Sequence, residues 1–248
     1  MEDLENVLKG LKTNKARGPD GLSRAIFRNS TIGTDLKKSL LKMFNKLKDA
    51  GKVPEFMKRA NVTTIPKKGS KIKLDNERGI FLVSTIRSIF MRLLFNLKFS
   101  VFDYNMSDSN VGGRKKKSGI NHIWVMNNII WDQISSVKNV PIIIQKFDYR
   151  QMFDGMDSLE AAGDIFDYGV NDDHLTLIQE ANKKVVISVK TPQGTSQPYT
   201  ITNKTMPWLL ARWTPLARRC WTATPPTCSS LRGRCQYLYL AKLMICPV

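Results

Sequence analysis

Up to about residue 204, apolar and polar positions alternate in short periodic runs separated by glycine-rich or charged breaks. Glu2 to Leu11 has a helical period. Leu36, Leu40, Met43, Phe44 and Leu47 fall on one helical face, and Gly51 closes that helix. Asn61-Val62-Thr63-Thr64-Ile65-Pro66 and Gly79-Ile80-Phe81-Leu82-Val83 predict two strands, joined by the charged loop Lys67–Asn76. Ser84 stands where it can cap a long helix running to about Tyr104. A further helix is predicted from Ser118 to about Ser136. The β-branched run Val140-Pro141-Ile142-Ile143-Ile144 then predicts a buried strand that leads directly into Gln145-Lys146-Phe147-Asp148. Helices follow from Asp157 or Ser158 towards Phe166 and from Asp172. Val185–Val189 and Tyr199–Thr202 predict a hairpin around Pro192-Gln193-Gly194. No internal repeat is present.

This order ends near Met206. Every acidic residue lies at or before Glu180, whereas all four cysteines (Cys220, Cys228, Cys235 and Cys246) lie after Met206. Lysine dominates the basic residues up to Lys204, and arginine dominates beyond it. Residues 205–248 show no helical or strand period. The cysteine spacing matches no paired C-x-x-C zinc pattern.

Charge narrows the functional class. With 39 Lys and Arg against 21 Asp and Glu, the net charge of +18 points to a nucleic-acid partner. No apolar run reaches the ~18 residues of a membrane span. The acidic start Met1-Glu2-Asp3-Leu4-Glu5 lacks a signal-peptide pattern. The expectation is an intracellular protein, nuclear or cytoplasmic, with no membrane partner.

Chemistry gathers at Asp148. A carboxylate at the end of a buried strand is costly unless a cation meets it, and a divalent metal is suited to that place. Three basic clusters could hold phosphates: Lys15 and Arg17 beside Gly18-Pro19-Asp20-Gly21; Lys67, Lys68, Lys71, Lys73 and Arg78; and Arg114, Lys115, Lys116 and Lys117. Each alone is also what a solvated loop looks like. Nucleotidyl transfer needs carboxylates for two metal ions and cations for a triphosphate. Asp148 could supply the first, and Lys67 with Arg78 the second. Phe153 reads either as core or as a ring placed beside a nucleotide sugar.

Four segments, in order, resemble the fingers and early palm of a reverse transcriptase of the non-LTR retrotransposon type. They are Lys15-Ala16-Arg17-Gly18-Pro19-Asp20-Gly21; Val62 to Gly69 with Asn76-Glu77-Arg78-Gly79-Ile80; Gly112-Gly113-Arg114; and Phe147-Asp148-Tyr149-Arg150-Gln151-Met152-Phe153-Asp154. The resemblance covers roughly residues 10–204. It implies an α/β fold of the α+β type: right-hand fingers over 1–138 and an incomplete palm over 139–204, with an antiparallel sheet packed on helices. It implies RNA-directed DNA polymerisation with Mg²⁺, an RNA template, a DNA primer and dNTP. Asp148 would be the first metal-binding carboxylate, assisted by the carbonyl of Tyr149. Lys67 and Arg78 would grip the dNTP phosphates, and Phe153 would be the steric gate. Asp154 belongs to the same motif as a structural residue. Lys15, Arg17, Lys68 and Arg114–Lys117 would meet nucleic acid.

Two palm motifs of that family are missing. A Gln-Gly motif should begin near Met206, where Pro207-Trp208-Leu209-Leu210 stands instead. An aromatic-x-Asp-Asp motif should follow, and no acidic residue follows Glu180. Asp172-Asp173 precedes a helical run and reads as helix N-terminal acids. Gln193-Gly194 reads as a hairpin turn. Residues 205–248 therefore read as an aberrant tail. A shifted reading frame accounts for it, with a genuinely divergent C-terminus as the alternative. The expectation is a chain with one metal carboxylate and no polymerase activity. The rival reading is a non-catalytic nucleic-acid-binding remnant of a transposable element.

Overall fold

A computed structural model describes residues 1–28, 34–66, 77–107, 110–111, 114, 116–135, 142–146, 158–170, 173–202 and 243–247, with backbone alone for 142–146, 158–160 and 243–247. The chain divides into two compact units: Met1–Phe102 with Phe153–Trp213, and Asp103–Met152 with Thr214–Val248.

The first unit combines a helical core with a mixed sheet. Its helices are α1 (Glu2–Lys9), α2 (Arg24–Arg28), α3 (Thr34–Ala50), α4 (Thr85–Asn105, which runs on into the second unit), α6 (Ser158–Asp167) and α7 (Asp173–Asn182). The expected apolar face of α3 is buried through Leu40, Phe44 and Leu47. Gly51 ends that helix with φ +59, a conformation that costs glycine nothing. Leu4, Val7 and Leu8 of α1 pack into the same core with Ile89, Phe90, Leu93 and Leu94 of α4, Ile165 of α6, and Leu177 and Ile178 of α7. The rings of Phe44 and Phe90 lie 5.0 Å apart in a tilted contact.

The sheet is built from β1 (Arg59–Pro66), β2 (Glu77–Val83), β4 (Val185–Thr191), β5 (Gly194–Thr195) and β6 (Tyr199–Ile201), in the order β2-β1-β4-β5 with β6 also on β4. The two strands expected before Ser84 are present and pair antiparallel, β1 with β2, and the hairpin expected of Val185–Val189 and Tyr199–Thr202 is present as β4 with β6, with β5 beside its turn. The sheet as a whole is not antiparallel, however. β4 joins β1 in parallel, with Ala60 opposite Ile187 and Val62 opposite Val189. One edge of β1 is already taken by β2. The long connection through α4 to α7 allows β4 to arrive in the same direction on the other edge. Ala60, Val62, Val83, Val185 and Ile187 form a second, separate apolar cluster on one face of this sheet.

A 3-10 turn, Glu55–Lys58, leads into β1 and is tied to α7 by an ion pair between Lys58 and Glu180. Beside it, Arg87 of α4 is 1% exposed. Its guanidinium donates to the Met57 carbonyl and to Asn182 Oδ1, each at 3.1 Å, and its Nε has no partner among the described residues. Burial lowers its pKa to about 10. With no carboxylate paired to it among the described residues, Arg87 acts as a hydrogen-bonding strut more than as an ion. Arg87→Ala is therefore expected to lower stability by about 3 kcal/mol through a cavity and two orphaned acceptors. Arg87→Met, which fills the volume and removes the desolvated charge, should recover more than half of that loss. Urea midpoints of the two variants check this.

In the second unit, α5 (Gly119–Ile134) starts one residue after the expected Ser118, which caps it: Ser118 Oγ accepts from the Ile120 N–H. β3 (Ile142–Lys146) begins just past Pro141 and runs two residues beyond the predicted strand. Residues 243–247, inside the tail that showed no period, form β7 (Leu243–Pro247), antiparallel to β3. The apolar run Leu243-Met244-Ile245-Cys246 has the composition a strand edge recruits.

Candidate nucleic-acid interface

The Gly-Pro-Asp-Gly turn is a latch between two distant parts of the chain. Gly18 lies so close to the end of β2 that a Cβ there would sit 2.2 Å from the Val83 carbonyl oxygen. That approach carries Asp20 to the start of α4. Asp20 Oδ2 accepts from the Ser84 hydroxyl at 2.8 Å and from the Thr85 N–H at 2.6 Å, and Oδ1 accepts from the Leu22 N–H at 3.3 Å. Ser84 does cap α4, as its sequence position suggests, since its Oγ accepts from the Arg87 N–H at 3.4 Å. The cap is shared: Asp20 places a negative charge on the positive end of a 21-residue helix. Thr85 Oγ1 donates to the Leu22 carbonyl at 2.8 Å and completes the seam. Arg24 donates to Ser88 Oγ at 3.4 Å. Burial, then the nearby Arg92, lowers the pKa of Arg24, and Asp20 opposes both.

Lys15 and Arg17 are exposed on the segment that this latch holds. Their backbone is anchored at Gly18 against Val83, so they project from the C-terminal end of β2. Arg78 is exposed on the same strand, five residues back or ~17 Å along it.

Strand alternation then assigns a face. Ala60, Val62, Phe81, Val83, Val185, Ile187 and Val189 point into the sheet's apolar cluster. Their neighbours Arg59, Asn61, Thr63 and Ile65 on β1, Arg78, Ile80 and Leu82 on β2, and Val186, Ser188 and Lys190 on β4 point the other way. All of these are partly or fully exposed. The face carries three cations (Arg59, Arg78 and Lys190) and no carboxylate. None of the three has an ion-pair partner among the described residues. Thr63 lies between Ile80 and Lys190, and Ile65 opposite Arg78, so Arg78 and Lys190 stand ~12 Å apart across the strand β1. β1 ends and β2 begins at this end, where Pro66 pairs with Glu77. A surface of this kind presents cations to phosphates, and amides, hydroxyls and aliphatic side chains to bases and sugars.

The third basic cluster is arranged differently. The Arg114 side chain is only 6% exposed. It donates through Nε to Asp103 Oδ1 at 2.7 Å and through its terminal nitrogens to the carbonyls of Ser107, Asn110 and Asp103. Arg114 thus holds its own loop together. Lys116 is exposed, with φ +62, and Lys117 is half-buried. Lys67, Lys68, Lys115, Asp148, Tyr149, Phe153 and Asp154 lie outside the described residues.

Two residues of the cationic face, Arg59 and Lys190, had no sequence cluster to mark them. Each is a lone cation in a strand. The signal that could have found them is alternation: each sits in phase with the polar positions of a strand whose other phase carries Ala60 and Val62 in β1, or Val185, Ile187 and Val189 in β4.

Among the described residues, no group of three or more His, Cys, Asp or Glu side chains is placed to hold a metal ion. Among them, too, no helix is long and apolar enough to cross a membrane. No protein-family model matches the chain.

Proposed function

We propose that this chain derives from the reverse transcriptase of a non-LTR retrotransposon, with fingers and part of a palm, and that it now binds template and primer nucleic acid without copying it. The observation that carries the reading is the Asp20 latch. The Gly-Pro-Asp-Gly segment and the Val62–Ile80 segment are separate family motifs in the sequence. In the fold the first is held against Val83, Ser84 and Thr85, where β2, the strand that carries Arg78, Gly79 and Ile80 of the second, passes into α4. The open sheet face supports a strand of RNA or DNA as ligand, since among the described residues it joins cations to polar and aliphatic groups with no opposing carboxylate.

Synthesis is a different matter. On this reading Mg²⁺ would be held by Asp148 and the carbonyl of Tyr149. Two-metal nucleotidyl transfer calls for more carboxylates than that, and none follows Glu180 in these 248 residues. The donor set does not fit two ions, and no catalytic step is derived through them. A labelled primer annealed to an RNA template should therefore shift on a gel with the full chain, yet remain unextended when Mg²⁺ and dNTPs are added. Primer extension that is abolished by Asp148→Ala would show an active enzyme instead. Failure to shift the duplex or its single strands would remove the binding reading.

A further inference from the structure

The helix α5 presents an apolar stripe that nothing in its own unit covers among the described residues. Ile120, Ile123, Trp124, Trp131 and Ile134 are between 55% and 72% exposed. Single exposed apolar side chains are ordinary, but five on one helix, two of them tryptophan, form a patch of the size that marks an interface. At 3.6 residues per turn, all five fall within about 60° of the direction of Asn127, which lies at the middle of the stripe.

The stripe is symmetric in sequence. A two-fold axis through Asn127, perpendicular to the helix, sets Ile120 against Ile134 of a second copy, Ile123 against Trp131, and Trp124 against Ile130. Such self-complementarity is what an isologous dimer requires. Asn127 would then meet Asn127 of the other copy, each amide donating to the other's carbonyl. A central polar pair of this kind fixes register and orientation in helix pairs. Charge permits the approach. In a chain of net charge +18, the span from Gly119 to Ile134 contains no Lys or Arg, and its one charged residue is Asp132. The five side chains expose on the order of 600 Å² per copy, or ~1,200 Å² for a pair, the lower limit of a specific interface.

We propose that α5 is a homodimerisation element that pairs antiparallel with α5 of a second copy across Asn127. A lipid surface is the other apolar partner to consider, since Lys116 and Lys117 adjoin the helix. Membrane-surface helices carry Lys and Arg along their polar face and hydrocarbon-soluble residues at the centre of the apolar one. Here the polar face has no cations, and the centre is asparagine.

Sedimentation velocity of the full chain across micromolar concentrations should show a monomer–dimer equilibrium. Trp131→Glu should raise its Kd by at least about 100-fold, with the far-ultraviolet circular dichroism unchanged. To test orientation, Ile120→Cys and Ile134→Cys chains are mixed and treated with a short bis-maleimide, and the linked peptides are identified by mass spectrometry. A 120–134 link supports the antiparallel pair, and 120–120 links in its place overturn it. A wild-type chain that stays monomeric overturns the proposal, as does a dimer indifferent to Trp131→Glu. A monomer captured by phosphatidylserine vesicles through α5 overturns it in favour of a membrane surface.

Discussion

Gly18→Ala should be among the most damaging single substitutions in this chain. The added methyl would lie 2.2 Å from the Val83 oxygen, 2.6 Å from its carbonyl carbon and 2.9 Å from the Ser84 nitrogen. All three are backbone atoms, so no side chain can swing aside. Normal contact begins near ~3.5 Å, which means that the turn must retreat by more than about 1 Å. Retreat of that size breaks the Asp20 bonds to Ser84 and Thr85, which carry the cap of α4. Overpacking and loss of a charged cap together should cost about 4 kcal/mol, a large part of the 5–15 kcal/mol of a typical domain. The melting temperature should fall by about 10 °C. Asp20→Asn separates the two causes. Its amide oxygen can take the place of Oδ2 and still accept from Ser84 and Thr85, giving up the longer bond from Leu22 and the charge without adding a clash, so it should cost only about 1 kcal/mol. Thermal and urea unfolding followed by circular dichroism measure both. A Gly18→Ala chain as stable as the parent would mean that the turn is not held against β2.

The second large effect is on binding. Arg78→Glu with Lys190→Glu reverses two charges on the open sheet face and removes no apolar contact from either core. Affinity for single-stranded RNA should fall by about 10- to 100-fold at moderate salt, because each lost phosphate contact forfeits counterion release. Stability should change by less than about 0.5 kcal/mol, as for other exposed sites. The same reversal at Lys9 and Lys46, exposed on α1 and α3, should weaken binding far less. Equal losses from the two double variants would mean that the net charge acts diffusely and the sheet face is no site.

What the sequence reveals of this fold depends on the range of the force involved. The period of Leu40, Phe44 and Leu47 predicts α3, since one buried face is a local property of a helix, while Leu36 in the first turn is exposed. Ser84 marks the start of α4 for the same reason. Pairing of β1 with β4 was not legible. Parallel strands so far apart in the chain leave no turn signal between them, and the antiparallel sheet expected from neighbouring strands is mixed in the structure. Asp20 reads as a turn residue because its partners, Ser84 and Thr85, are remote in sequence. Arg114 shows the limit of reading charge runs. Beside three lysines it looks like part of a phosphate-binding patch, yet its guanidinium turns into its own loop to meet Asp103. Arg87 is the reverse case, a cation in a helix that tertiary packing buries between Met57 and Asn182.

The candidate site is therefore half legible. Lys15, Arg17 and Arg78 came from clusters and motifs, and the fold ties the segments that bear them together through Gly18 and Val83. Arg59 and Lys190 came only from strand register. Together they turn a basic composition into a defined surface, with exposed cations along a polar sheet face.

The most direct test of this account is the salt dependence of binding by the unmodified chain. Fluorescence anisotropy with a labelled single-stranded RNA, repeated from 50 to 200 mM salt, gives the slope of log K against log[salt]. Four or five phosphate contacts from Lys15, Arg17, Arg59, Arg78 and Lys190 predict a slope of about −3, since each contributes about −0.7. The double reversal at Arg78 and Lys190 should make it shallower by about 1.4. A slope near zero, or no binding at the lowest salt, would contradict the account.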